Sequence, residues 1–255
     1  MITDSFKEGE TPIMGPEDFC SSKGDYGDVC IVFFSQDVLK KVLSEYETTI
    51  VATISESIAR SHLYRINDTR ILFYLSQIGA PSAAMMMDEA RYICNAKKFI
   101  VFGSSGILDQ KIAKGKIIVP TSAYRDEGFS YHFRPNSDYI EIKTSGITAS
   151  FFEKEGIPTV NGKTWTTDAF YHETKEEMVR RVNEGCVAVD MECAALQALS
   201  EYRDFEFYTF FFGGDLLDAP IWNRENLGDE KEKKSQQDAF SYALKFAKSL
   251  VIEKI

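Results

Sequence analysis

Two acidic positions carry the chemistry this chain can do. Glu192 follows Val189-Asp190-Met191 and precedes the small run Cys193-Ala194-Ala195, while Asp215 follows Phe210-Phe211-Phe212-Gly213-Gly214. A carboxylate at the apolar start of a helix can accept hydrogen bonds from two adjacent hydroxyls, as a sugar diol presents them, provided it stays ionised. A second carboxyl set behind three phenylalanines keeps its proton, because burial disfavours the charged form, and can hand that proton to a departing group. The pair suits cleavage of a glycosidic bond. Competing readings are a first-turn acid favoured by the helix dipole for Glu192, and a turn or N-cap acid for Asp215, with Asp218 as its rival.

Two further segments fall where ligands gather in open α/β sheets. Gly103-Ser104-Ser105-Gly106 follows the apolar run Phe99 to Phe102 and reads equally well as a ligand loop or as a tight turn that needs small residues. Thr166-Thr167-Asp168-Ala169-Phe170-Tyr171 ends another strand, with an aromatic pair that offers a flat surface to a heterocycle; Phe170 alone reads as core. His62, His132 and His172 have no partner at metal-ligand spacing.

The elements that must position these residues alternate. Apolar runs at 29–34, 48–53, 70–75, 99–102, 116–120, 159–165 and 205–212 read as strands, and helical periods fall at 37–46, 81–95, 146–155, 175–185, 191–201 and about 234–252. This is an α/β pattern, and 255 residues with 44% hydrophobic side chains make one large core. Residues 1–28, broken by Pro12, Gly15, Pro16, Gly24 and Gly27, read as a lead-in or an arm, ahead of a domain over 29–255. The net charge of −10 has no basic stripe, which argues against nucleic acid or an anionic membrane as partner and for a small-molecule ligand. Cys20, Cys30, Cys94, Cys186 and Cys193 are scattered, so neither a disulfide framework nor a metal site is expected. With no signal-like start and no spanning apolar run, a cytoplasmic location is the expectation.

Gly79-Ala80-Pro81-Ser82-Ala83-Ala84, Gly103-Ser104-Ser105-Gly106, Asp168-Ala169-Phe170-Tyr171, Val189-Asp190-Met191-Glu192 and Asp215, in that order, resemble the nucleoside phosphorylase superfamily over Val29 to Ile252. The resemblance implies a single α/β domain with a twisted mixed central sheet surrounded by helices, assembled as a homo-oligomer, a dimer or a trimer of dimers. It implies a nucleoside as ligand, with Glu192 on the ribose hydroxyls, Met191 against the sugar, and Phe170, Val189 and Asp190 around the base. Asp215 matches the acid that protonates a purine ring nitrogen, and Ser104 and Arg60 match a phosphate or nucleophile site. No cofactor is implied beyond phosphate as co-substrate. Thr121 to Phe133 resembles uridine phosphorylases, but His172-Glu173-Thr174-Lys175 stands where those enzymes place a glutamine and an arginine, which favours purine.

The chain departs from the pattern around phosphate. Phe33-Phe34-Ser35-Gln36-Asp37-Val38 replaces the usual Gly-Asp-Pro segment and arginine, and Val101 stands where another arginine is usual. A doubly charged anion needs cations or an amide nest to offset its desolvation. Phosphorolysis of a purine nucleoside to base and ribose 1-phosphate, with Arg60, Arg65 or Arg125 as relocated cations, is the first reading. The alternatives are a nucleoside hydrolase with Asp37 as base, a uridine phosphorylase, and a non-catalytic nucleoside sensor.

Overall fold

Side-chain parity along the buried strands sets the layers. The computed structural model describes residues 1–20, 23–55, 60–219, 222–223 and 230–251. In chain order the elements are β1 (Val29–Phe33), α1 (Gln36–Glu45), β2 (Thr48–Ile54), β3 (Ser61–Ile66), β4 (Ile71–Leu75), α2 (Ala80–Cys94), β5 (Lys98–Ile107), α3 (Gln110–Ala113), β6 (Ile117–Asp126), β7 (Tyr139–Glu141), α4 (Ser145–Lys154), β8 (Thr159–Thr167), α5 (Lys175–Asn183), β9 (Cys186–Asp190), α6 (Cys193–Arg203), β10 (Glu206–Leu216) and α7 (Glu230–Leu250). β1 lies parallel between β4 and β5 and is buried along its whole length, as expected of a parallel strand covered on both faces. Cys30, Val32, Phe99, Val101, Phe207 and Phe211 turn toward α2 and α6. Their neighbours Ile31, Phe33, Ile100, Phe102, Phe210 and Phe212 turn toward α7. Phe240 of α7 stands edge-on to Phe33, Phe73 and Phe102, which closes the second face.

All ten strands belong to one mixed sheet, and part of it closes on itself. β10 pairs with β5 on one side and β6 on the other, and pairings of β6 with β8, β8 with β9 and β9 with β5 complete a ring. Closure satisfies strand edges that would otherwise stay unpaired. It also gathers the second half of β5 and the ends of β8, β9 and β10 around one space.

Several elements differ from the sequence reading. Gly103-Ser104-Ser105-Gly106 is not a tight turn: β5 runs through it to Ile107 because Phe211 to Leu216 of β10 continues alongside. Small residues are needed there for packing, since a Cβ on Gly106 would stand 2.5 Å from the Leu217 side chain and 2.7 Å from that of Val189. Asp215 likewise lies within β10, just past a bulge at Gly213 to Asp215, and not in a turn. Residues 186–190 form β9, parallel to β8, and α6 begins only at Cys193 with Glu192 as its N-cap. β3 and the short β7 were not anticipated, and β2, β3 and β4 make an antiparallel wing beyond β1.

Ahead of β1 the described chain has only two short 3-10 turns, Ile2–Asp4 and Pro16–Asp18. Its end is fastened by Arg70, which pairs with Asp25 at 2.5 Å and Asp28 at 2.7 Å, and by a Gly24 N–H to Ile93 carbonyl bond of 2.9 Å. Among the described residues no helix is long and apolar enough to cross a membrane.

Candidate active site

The space enclosed by the strand ends is a cavity of about 230 Å³, lined from β5, β9, β10, the β9–α6 junction and the segment after β8. Glu192 enters it from the junction. Its Oε1 accepts the Gly79 N–H at 2.5 Å, at the N-terminus of α2. Gly79 has φ +100°, a conformation open to glycine and strained for other residues, so the Gly79-Ala80-Pro81 sequence both starts the helix and aims its first amide at the carboxylate. Burial, followed by the charge of nearby Asp190, pushes Glu192 up to about 8. The ribose-binding role expected of Glu192 needs the ionised form, which burial opposes in the free protein.

Asp190, expected beside the base, has both oxygens occupied. Oδ1 accepts from the Thr164 and Thr166 hydroxyls, each at 2.9 Å, and Oδ2 accepts from the Glu192 and Cys193 amides at 2.8 and 2.6 Å. Burial raises its pKa against the pull of those four donors. Asp190 therefore ties the end of β8 to the first turn of α6 and fixes where Glu192 stands.

Asp215 is buried with a single described hydrogen bond, from Trp222 Nε1 to Oδ2 at 2.8 Å. Burial raises its pKa and the indole bond only partly offsets that. The rival acid Asp218 is engaged elsewhere, with Oδ2 accepting the Gln110 N–H at 2.9 Å at the start of α3. Glu173, which the sequence marked only as part of the stretch that replaces the glutamine and arginine of uridine phosphorylases, lines the cavity beside Phe170 and Asp215 and is pushed up to about 7 by burial and then by Asp215. Ser105 and Thr209 also line it, and each buries a hydroxyl oxygen with no hydrogen-bond partner among the described residues. Buried hydroxyls left unpaired mark a place where a ligand or water completes the bonding. Strand parity could have found Thr209, which shares a face of β10 with Phe207 and Phe211.

The structure brings Ser104, Phe170, Val189, Asp190, Met191, Glu192 and Asp215 to this one cavity. Arg60 is exposed ahead of β3 and is not among the residues lining it. Arg65 lies in β3, away from the cavity lining. Arg125 is buried in its own loop, donating to Ser130, Arg134, Pro135 and Ser137 and stacking on Tyr131. Asp37 sits in the first turn of α1, 3.9 Å from Lys40, and is also outside. Phe34 and Val101, which stand at positions of the usual phosphate ligands, line the cavity, and among the described residues no lysine, arginine or histidine does so.

Comparison with known proteins bears on the family and the fold. The profile of the phosphorylase superfamily matches residues 28–252. A purine nucleoside phosphorylase DeoD-type of Exiguobacterium sp. is 24% identical over 179 residues, covering 69% of this chain and 72% of that protein. Among solved structures, a Campylobacter jejuni 5'-methylthioadenosine/S-adenosyl homocysteine nucleosidase superposes with TM-score 0.72 at 16% identity, over 88% of this chain and 100% of the other. A Toxoplasma gondii purine nucleoside phosphorylase in complex with immucillin-H superposes with TM-score 0.70 at 16% identity, over 88% and 93%.

Proposed function

This chain belongs to the phosphorylase superfamily, and we propose that it cleaves the N-glycosidic bond of a purine nucleoside, Asp215 protonating the leaving base while Glu192 holds the ribose hydroxyls. The observation that carries the reading is the meeting of these two carboxyls, from β10 and from the β9–α6 junction, in one cavity. A purine leaves poorly as an anion. A proton delivered to its ring removes that charge as the sugar becomes cationic, and such general acid help is worth ~10²–10⁴ in rate. Glu192 can serve the same transition state: two ribose hydroxyls donating to it favour its ionised form, so binding of the nucleoside draws it below its resting value. Met191 packs against the sugar, and Phe170 and Val189 bracket the base.

Charge bears on the nucleophile. Phosphate is the first reading from the sequence; the absence of a cation among the described lining residues favours water. Ser104 at the rim is the remaining phosphate ligand, and phosphorolysis would require a cation from outside the described lining, such as Arg60 of a neighbouring copy. Purified protein is incubated with adenosine, inosine and uridine, with and without phosphate. Free base with free ribose in phosphate-free buffer supports hydrolysis, ribose 1-phosphate supports phosphorolysis, and tight binding without product would replace the enzyme with a sensor.

A further inference from the structure

We propose that Glu173 is a specificity-determining residue which, together with Asp215, reads the exocyclic group of the base and selects 6-aminopurines over 6-oxopurines; this rests on the cavity being a purine site. Glu173 lies in the link between the turn Phe170–His172 and α5. With Phe170 and Asp215 it forms the wall shared by the main cavity and a second one of about 490 Å³. Its carboxyl has no hydrogen-bond partner among the described residues, and Asp215 gives only one oxygen to Trp222, so the wall presents unmet bonding capacity to whatever fills the cavity.

Two partly buried carboxyls that feel one another's charge do not both ionise readily, and Glu173 is raised to about 7 by burial and by Asp215. Near neutrality the pair therefore offers one O–H donor and one carboxylate acceptor. A 6-aminopurine presents the complement, a ring nitrogen that accepts beside an amine that donates. A 6-oxopurine presents two acceptors, which leaves a carboxylate facing an oxygen lone pair unless a second proton is taken up. A site built to receive an amine discriminates strongly against the analogue that lacks it. The plain alternative, a solvated acid ahead of α5, predicts no effect on base choice.

The test measures calorimetric binding of adenine and hypoxanthine, alongside kcat/KM for adenosine and inosine, in the parent, Glu173→Gln and Glu173→Ala. The parent should favour adenine by about tenfold or more, the size expected for a hydrogen bond to a charged group. Glu173→Gln, whose amide can donate to an oxo group, should bring the ratio to about one or reverse it. Glu173→Ala should weaken adenine with little gain for hypoxanthine. Ratios unchanged in both variants, with melting temperatures like the parent, overturn the proposal. Free bases bind without turnover, so the two readings fail separately: a base preference that depends on Glu173 in a protein that cleaves nothing upholds this inference and sinks the cleavage reading, and cleavage with an unaltered preference does the opposite.

Discussion

The β9–α6 junction and the end of β10 each bury an aspartate beside the same cavity, and they do so in opposite ways. Asp190 receives four hydrogen bonds, two from threonine hydroxyls and two from backbone amides. Asp215 receives one described bond, from Trp222. A carboxylate whose lone pairs are filled is scaffold, because its charge is already compensated and no capacity remains for a ligand. Burial raises the pKa of both, but only the one with bonding capacity to spare is available to a substrate, which is a condition for a general acid. The same residue type thus serves stability in one region and chemistry in the other.

Each variant below strains one side of that contrast. Asp215→Asn keeps the size of the side chain and an acceptor for Trp222 but cannot deliver a proton, so nucleoside cleavage should fall by ~10²–10⁴ with little change in melting temperature. Unaltered turnover would remove the distinction at its reactive end. Asp190→Asn turns an amide N–H₂ toward groups that are themselves donors, and denaturant titration should show a loss of about 3 kcal/mol. If that variant is as stable as the parent yet inactive, Asp190 belongs to the chemistry after all.

A smaller effect is expected at Glu192. Its pKa rises from 4.5 to about 8 on folding, so between those values the folded protein holds a proton that the unfolded chain has released, and stability falls as pH climbs through that window. Glu192→Gln removes this contribution. Thermal melts should place the variant roughly 3 °C or more above the parent at pH 8.5, with the two converging near pH 5; Glu173, raised to about 7, adds a residual slope of the same sign to both. A gap that does not vary with pH would show that Glu192 is ionised at rest. The smallest effect is a null one: added phosphate should leave the parent's cleavage rate unchanged, because Phe34 and Val101 stand where an anion would need cations. Acceleration by phosphate would mean that a cation from outside the described lining completes that end.

Much of this was legible in the chain because its signals are local. The apolar run at β1, the Pro81 helix start at α2 and the phenylalanine-rich β10 announce themselves by period and composition, and the order of the motifs brought Glu192 and Asp215 together. Other features depend on long-range contacts. Five residues at Cys186–Asp190 between a glycine and a helix carry too little pattern to separate strand from helix start, and only pairing with β8 decides it. Gly103-Ser104-Ser105-Gly106 has the composition of a turn, yet β10 alongside keeps it extended. Asp215 and Asp218 are equivalent on paper until the Gln110 amide claims one of them. Glu173 stood out only within the stretch that replaces the glutamine and arginine of uridine phosphorylases, and its significance comes from sharing a cavity wall with an acid far along the chain.

The most direct test is chromatographic detection of free purine when the purified protein is incubated with adenosine, run beside Asp215→Asn. The account predicts adenine release by the parent and release slowed by at least about a hundredfold in the variant. Equal release by both proteins, or adenosine bound tightly and left intact by the parent, would contradict it.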